Sequence, residues 1–162
     1  MKISIIGQGY VGLSLAVIAA KSRFEVVGFD TNKELIKDLA AYKSHIEGLS
    51  STDLQQPNYR ATDDPSAINE SEVVVIAVPT PLNESREPDL SYLNAACQII
   101  GKNLKNKALI INESTSFPGT LRDLISTQIE EISGLNHLYA ASPERVDPGN
   151  PVWNQSNTPR LV

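Results

Sequence analysis

Apolar residues along the chain alternate between short β-branched runs and longer segments with helical spacing. Five runs predict strands: Lys2–Ile6, Phe24–Phe29, Glu72–Val78, Ala108–Ile111 and Leu138–Ala141. The helical segments between them are Val11–Lys21, a segment after Thr31, a turn at Asp64-Pro65, Asp89–Lys105 and a segment after Thr120. This alternation predicts an α/β fold, a doubly wound and mainly parallel sheet with helices on both faces.

Three of the predicted helices carry start signals. The patterns Thr31-x-x-Glu34 and Thr120-x-x-Asp123 resemble capping boxes, and Asp64-Pro65 is a cap followed by proline at the first helical position. The region Tyr42–Tyr59 has no clean periodicity, so we predict a loop that contains a short helix.

Polar or backbone-permissive residues follow every predicted strand. Because parallel sheets bind ligands beyond the carboxyl ends of their strands, we expect a site at this edge. The segments there are Gly7–Gly12, Asp30, Pro79-Thr80-Pro81, Ser114-Thr115 and Pro143-Glu144-Arg145.

The first of these segments has the pattern G-x-G-x-x-G and lies between a strand and a helix. Gly7 permits a tight turn, Gly9 lets backbone N–H groups approach a pyrophosphate at the helix N-terminus, and Gly12 allows close helix–strand packing. Tyr10 and Val11 belong to the same turn. With Asp30 at the end of the second strand, 18 residues after Gly12, the pattern predicts a Rossmann-like dinucleotide site.

Asp30 also predicts which dinucleotide binds. Its carboxylate can accept both ribose hydroxyls of the adenosine and would repel a 2′-phosphate, so NAD is favoured over NADP. Lys33 lies close enough in sequence to weaken this preference. The alternative is a turn aspartate that precedes the helix cap.

Each of the other strand-end segments supports two interpretations. Thr80 can offer its hydroxyl to a ligand at this edge of the sheet. Alternatively, Val78–Pro81 is only a rigid loop that redirects the chain. Hydroxyls in Glu113–Thr120 suit an anion or a nicotinamide amide, or Ser116 or Thr120 caps the helix. In Ser142–Arg145, the carboxylate and guanidinium suit proton transfer and the recognition of a phosphate or a carboxylate, or they form a surface ion pair.

Composition and charge narrow the possible functions. The chain has 162 residues, 41% of them hydrophobic, and a formal charge of −5, which indicates one globular domain and argues against nucleic acid or an anionic membrane as partner. The apolar stretch Val11–Ala20 is too short to span a bilayer, so we expect a cytoplasmic protein. One cysteine and two histidines predict neither a disulfide framework nor a metal site, and Cys97, His45 and His137 are interpreted as structural.

Four motifs together resemble the UDP-glucose/GDP-mannose dehydrogenase family. They are Gly7–Leu13, Val73–Leu82, Ser114-Thr115 with Pro118–Thr120, and Ser142–Asn150. The resemblance implies an enzyme that uses NAD to oxidise C6 of a nucleotide sugar twice, from alcohol to carboxylate. Pro148 stands where glucose-acting relatives often carry a second glutamate, which favours UDP-N-acetylhexosamines as substrates.

The resemblance also assigns roles to residues. It implies that Thr115 lies near the nicotinamide and the reaction water, that Glu144 lies beside nicotinamide and substrate, and that Arg145 orients this segment or faces the substrate. The expected catalytic residues are Thr115 and Glu144, and the expected substrate-binding residues are Glu144 and Arg145. The expected cofactor-binding residues are Gly7, Gly9, Tyr10, Val11, Gly12, Asp30, Pro79, Thr80, Thr115 and Glu144.

Members of this family continue into a central helical region, through which they form homodimers, and a second α/β domain with the nucleophilic cysteine. Cys97 lies in the wrong motif to replace that cysteine, and Arg160–Val162 resembles a strand cut short. We therefore expect residues 1–162 to form one NAD-binding domain that binds NAD without turnover. A stand-alone dinucleotide-binding or sensing module is the alternative, whereas Ser142–Asn150 disfavours a hydroxyacid or hydroxyacyl dehydrogenase.

Overall fold

Six parallel strands form one sheet at the centre of the computed structural model, which describes residues 1–145, 152 and 157–159. Their order is β3-β2-β1-β4-β5-β6, and every neighbouring pair is parallel. This confirms the predicted doubly wound α/β class, with the strand order reversing between β1 and β4. The strands are β1 (Lys2–Ile6), β2 (Glu25–Phe29), β3 (Tyr59–Thr62), β4 (Val73–Ile76), β5 (Leu109–Asn112) and β6 (Leu138–Ala141).

Helices cover both faces of this sheet, as predicted. On one face, Ile5 and Val75 pack against Ala16 of α1, and α2 and α3 extend the same layer. On the other face, Ile76 packs in a cluster with Leu93 and residues of α5. The helices are α1 (Tyr10–Lys21), α2 (Lys33–Ala40), α3 (Ser51–Leu54), α4 (Ser91–Asn103) and α5 (Thr127–Ser133).

The side chains of β4 show why its sequence has no polar–apolar alternation. Val74 and Ile76 face the layer of α4 and α5, whereas Val73 and Val75 face the layer of α1. Three of these four side chains are buried and the fourth is half-buried. A strand in the middle of a parallel sheet is covered on both faces, so both sets of alternating residues are apolar.

Strand β3 was not predicted. Its first residue, Tyr59, was expected to end a loop, but it pairs with Val26, and the strand continues to Thr62. Because β3 lies at the edge of the sheet, its residues are half-buried or exposed, Arg60 among them. An edge strand of this kind has no apolar run by which the sequence could reveal it.

Two of the predicted helix caps are wrong. Asn32 rather than Thr31 caps α2, because its Oδ1 accepts a hydrogen bond from Leu35 N at 3.2 Å. Thr120 does not cap the helix that follows it, since its hydroxyl donates to the Phe117 carbonyl at 2.7 Å. The N-cap there is Gly119, in the left-handed region with φ of 95°, and a π-helical segment, Thr120–Ser126, leads into α5.

The Asp64 cap is confirmed. Its Oδ1 accepts from Ser66 N at 2.9 Å, although the segment that follows, Pro65–Ile68, is a 3-10 turn. The short helix expected within Tyr42–Tyr59 is α3. Within the part of the chain that the structure describes, no helix combines the length and the apolar character needed to cross a membrane. The predictions for Val146–Asn150 and Arg160–Val162 lie outside the described residues.

Candidate functional site

A cleft of about 450 Å³ opens at the carboxyl edge of the sheet, between the ends of β1, β2 and β4. This is where the strand order reverses, the position at which doubly wound sheets bind their ligands. Of the residues predicted to bind a cofactor, the cleft is lined by Gly7, Gly9, Tyr10, Val11, Asp30 and Pro79. Gly12 lies directly behind this lining, in the first turn of α1.

Two glycines of the Gly7–Gly12 motif, one before α1 and one in its first turn, have no room for a side chain. Gly7 has φ of 94°, and a Cβ there would lie 2.5 Å from the Ala77 carbonyl oxygen. A Cβ on Gly12 would lie 1.8 Å from the carbonyl oxygen of Gly7. The tight turn and the close packing of α1 on the sheet therefore both require glycine.

Gly9 is glycine for a different reason. Its φ of −72° is ordinary for any residue, and a Cβ at this position would meet no protein atom within 4 Å. The space that a side chain would occupy belongs to the cleft, directly at the N-terminus of α1. An anion placed there would lie against backbone N–H groups and the positive end of the helix dipole.

Asp30 lies at the end of β2 and lines the cleft. Its Oδ2 accepts from Gln8 N at 2.7 Å, and its Oδ1 accepts from Asn32 N at 2.9 Å. The bond from Asn32 N is the one expected of an aspartate that stabilises a turn. Asp30 therefore both stabilises the turn before α2 and lines the cleft. A carboxylate offers about four acceptor sites, so these two bonds leave capacity for the two hydroxyls of a ribose.

The remaining predicted site residues do not line this cleft. Thr80 is half-buried, Thr115 is exposed, Glu144 is half-buried, and Arg145 is exposed. The side chain of Glu144 accepts from Arg145 N at 2.7 Å through its Oε1. These residues follow β4, β5 and β6, towards the other half of the carboxyl edge.

Hydrogen bonds hold the loops of that half together. Buried Ser114 accepts from Val78 N at 3.0 Å through its hydroxyl oxygen and donates to the Val78 carbonyl at 2.8 Å. Ser142 N donates to the Asn112 carbonyl at 2.9 Å. The segments that carry Thr80, Thr115 and Glu144 are thus placed side by side along one edge, continuing the line of the cleft.

Several cleft residues were missed by the sequence analysis. One wall comes from the residues after β2, and the opposite wall comes from the start of α4. The cleft residues of α4 recur at helical spacing beside the residues that pack in the core. The sequence pattern therefore did contain a signal for this wall of the cleft. The missed lining residues include Thr31, Asn32, Leu35, Tyr92, Ala95, Ala96 and Ile99.

Burial makes Cys97 and His137 structural, as predicted. Cys97 is fully buried, and this burial raises the pKa of its thiol to about 12, so it remains protonated. His137 is buried directly before β6, where its Nδ1 accepts from Ala108 N at 3.3 Å and desolvation lowers its pKa. Among the described residues, no three His, Cys, Asp or Glu side chains are grouped so that they could hold a metal ion.

The geometry of the cleft fits a dinucleotide. The turn at Gly7–Gly12 leaves open space at a helix N-terminus, which suits a pyrophosphate, and the Asp30 carboxylate has acceptor capacity for a ribose. The family model described as "UDP-glucose/GDP-mannose dehydrogenase family, NAD binding domain" matches residues 1–162.

Individual relatives agree with this match. The UDP-N-acetyl-D-glucosamine 6-dehydrogenase of Salmonella typhi is 36% identical over 170 residues, which covers 100% of this chain and 39% of that protein. The solved structure of a UDP-D-ManNAc dehydrogenase from Pyrococcus horikoshii superimposes with a TM-score of 0.85 at 35% identity, covering 92% of this chain and 37% of that one. A GDP-mannose dehydrogenase from Pseudomonas aeruginosa gives a TM-score of 0.83 at 30% identity, covering 91% and 37%.

The chain spans about two fifths of the length of the curated relatives it matches, with 38% and 39% coverage of two of them.

Proposed function

This chain belongs to the UDP-glucose/GDP-mannose dehydrogenase family, as its NAD binding domain, and we propose that the cleft between β1, β2 and β4 is where it binds NAD. The observation that carries the proposal is the open space at Gly9, next to the start of α1 and within the same cleft as Asp30. A pyrophosphate in that space and a ribose on Asp30 are the two groups that a dinucleotide presents together.

Six of the residues predicted to bind the cofactor have separate roles in this proposal. Gly7 and Gly12 shape the turn, and Gly9 admits the pyrophosphate. Tyr10 and Val11 begin α1 and bring the positive end of its dipole to that group. Asp30 accepts the hydroxyls of the adenosine ribose, and its charge disfavours the extra phosphate of NADP.

The nicotinamide half of NAD is proposed to extend along the ends of β4, β5 and β6. Pro79 and Thr80 border this path, Thr115 lies near the nicotinamide, and Glu144 and Arg145 face the nicotinamide and the substrate. Support comes from the bonds of Ser114 to Val78 and of Ser142 to Asn112, which place these loops side by side. Bound NAD would supply the hydride acceptor of the reaction.

The activity of the whole protein is proposed from its relatives. We propose that it oxidises C6 of a UDP-N-acetylhexosamine from alcohol to carboxylate, as a cytoplasmic homodimer that serves polysaccharide biosynthesis. Relatives named as dehydrogenases of UDP-N-acetyl-D-glucosamine and UDP-N-acetyl-D-mannosamine support this substrate class. Residues 1–162 alone are proposed to bind NAD without turnover. The family match favours this function over a stand-alone dinucleotide-binding or sensing module.

A charge-removing substitution at Asp30 tests the proposal. We expect Asp30→Asn to weaken NAD binding about tenfold, because a charge-assisted hydrogen bond to the ribose is lost, and to narrow the preference for NAD over NADP. Asp38→Asn is the matched control, since Asp38 is exposed on α2 and does not line the cleft. Calorimetric titration of both variants measures the two affinities. Equal NAD affinity in Asp30→Asn and the unchanged chain would show that the ribose site is wrongly placed.

A further inference from the structure

Gln8 is the one residue of the Gly7–Tyr10 turn with a long side chain that is fully buried. Gly9 and Tyr10, which follow it, are both exposed. The Nε2 of Gln8 donates to the carbonyls of Ile5, at 3.1 Å, and Gly7, at 3.2 Å. Its Oε1 accepts from the hydroxyl of Tyr59 at 2.9 Å. The amide is therefore bonded on both sides, beneath the turn and away from the cleft opening.

The sheet is shaped to receive this amide. A Cβ on Gly28 of β2 would lie 2.3 Å from Oε1 and 2.6 Å from Cδ of Gln8, and 2.9 Å from Cε2 of Tyr59. Gly28 has φ outside the left-handed region, so its backbone conformation does not call for glycine. The space left by its missing side chain is filled by the Gln8 amide and the Tyr59 ring, which makes the three residues interdependent.

The backbone of Gln8 connects this buried group to the site. Its N–H donates to Oδ2 of Asp30 at 2.7 Å, and its side chain holds the carbonyl of Gly7. One residue therefore contacts both parts of the proposed NAD site, the ribose acceptor and the glycine turn. A shift of Gln8 would move the Asp30 carboxylate and the turn together.

Tyr59 is suited to hold the amide in place. It is the first residue of β3, it packs against two of the core clusters, and its hydroxyl is the hydrogen-bond donor to Oε1. Burial, and secondarily the negative charge of Asp30, raise the pKa of Tyr59, so the hydroxyl keeps its proton.

We propose that Tyr59 and Gln8 are positioning residues for NAD: the Tyr59 hydroxyl on β3 orients the Gln8 amide, and Gln8 in turn places the glycine turn and the Asp30 carboxylate for the pyrophosphate and the ribose. This inference rests on the proposed NAD site. According to this inference, NAD affinity also depends on a residue of β3, an edge strand that lies far from the G-x-G-x-x-G motif in the sequence.

The first test removes a single hydroxyl. Tyr59→Phe keeps the ring in the core but leaves Oε1 of Gln8 without its donor, and we expect NAD to bind about threefold to tenfold more weakly. Tyr139→Phe is the matched control, because its hydroxyl donates to the Ser126 carbonyl at 3.5 Å in the β6 half of the fold and it does not line the cleft. We expect the control to bind NAD like the unchanged chain.

A second test separates positioning from stability. The double variant Gln8→Met with Tyr59→Phe replaces the polar pair with apolar side chains of similar shape. It removes the Oε1 that Tyr59→Phe leaves without a donor, and the carbonyls of Ile5 and Gly7 lose their bonds from Nε2. We expect its melting temperature to lie within a few degrees of that of Tyr59→Phe, because removal of the unsatisfied Oε1 offsets the loss of the Nε2 bonds. Its NAD affinity should be lower still, because the turn has lost the amide that holds Gly7.

The outcomes distinguish this inference from the function on which it rests. If the unchanged chain does not bind NAD, the proposed site fails and the inference fails with it. If the unchanged chain binds NAD and Tyr59→Phe binds it equally well, only the positioning role is overturned. It is also overturned if NAD affinity simply follows the melting temperature across the variants, since that result would describe a purely structural pair.

Discussion

At the scale of single residues, the glycine turn combines two kinds of constraint. Gly7 and Gly12 are required by the protein itself, since a side chain on either would collide with a backbone carbonyl. Gly9 has no such neighbour, and its lack of a side chain serves the cleft instead. Folding and binding therefore depend on different members of the same motif.

Because Gly9 serves binding and Gly12 serves folding, alanine at these two positions should affect different properties, NAD affinity at Gly9 and the melting temperature at Gly12. Gly9→Ala should leave the melting temperature within a few degrees of the unchanged chain and weaken NAD binding by at least tenfold, because the methyl group enters the space for the pyrophosphate. Gly12→Ala should lower the melting temperature sharply, because its Cβ cannot lie 1.8 Å from the Gly7 oxygen. Thermal melts and NAD titrations of both variants check this. Strong NAD binding by Gly9→Ala would contradict the account.

The roles of the glycines and of Asp30 at the site could be predicted from the sequence, whereas the role of Gln8 could not. The glycine spacing and an acidic residue after the second strand have a known physical meaning, so they could be predicted together. Gln8 occupies a variable position of that pattern, and its burial depends on Gly28 and Tyr59, which are 20 and 51 residues away. No local pattern reports a contact between a loop and an edge strand at such separations.

At the scale of elements, the packing of α4 on α5 depends on Gly101. A Cβ at this position would lie 2.7 Å from Cβ of Ile132 and 3.0 Å from its Cγ2, with the Ile129 carbonyl oxygen 3.3 Å away. Gly101 lies in the last turn of α4, and glycine inside a helix is normally unfavourable by up to about 1 kcal/mol relative to alanine. Here it allows the two helices to approach closely.

Gly101→Ala should therefore destabilise the protein, against the trend of helix propensity. Overpacking at this contact should lower the free energy of unfolding by about 1–3 kcal/mol. Gln98→Ala, on the exposed side of the same helix, is the control and should change it by less than about 0.5 kcal/mol. Denaturant unfolding measures both. A gain in stability for Gly101→Ala would mean that the α4–α5 contact is looser than described.

Helices and strands were predicted best where the residues buried in the fold are also the ones that form a clear apolar pattern along the chain. β4 is a continuous apolar run and α4 has strong helical periodicity, and the boundaries of both differ from the prediction by no more than two residues. β3 was missed because its sequence, Tyr59–Thr62, is interrupted by the exposed Arg60 and contains no apolar run, whereas β6 at the other edge does contain one. The cap of α2 was placed one residue early because Thr31 and Asn32 are both good caps, and only the observed bond from Leu35 N to Asn32 distinguishes them.

At the scale of the whole molecule, the alternation of strands and helices was enough to predict a doubly wound sheet and its ligand edge. Four separated motifs predicted the family, which the match over residues 1–162 confirms, together with NAD as the cofactor. The sequence analysis placed these residues after successive strands but did not predict the order of those strands in the sheet. Thr115 and Glu144 follow β5 and β6, away from the cleft at β1, β2 and β4, and sequence spacing does not report that separation.

Calorimetric titration of the chain with NAD, and separately with NADP, measures whether the cleft binds a dinucleotide and which of the two it prefers. We predict that NAD binds at one site with a dissociation constant in the micromolar to millimolar range. We also predict that NADP binds more weakly, because its 2′-phosphate would approach the Asp30 carboxylate. Binding of NADP as tight as that of NAD would contradict the role of Asp30. Absence of NAD binding would contradict the claim that this cleft is the cofactor site of the chain.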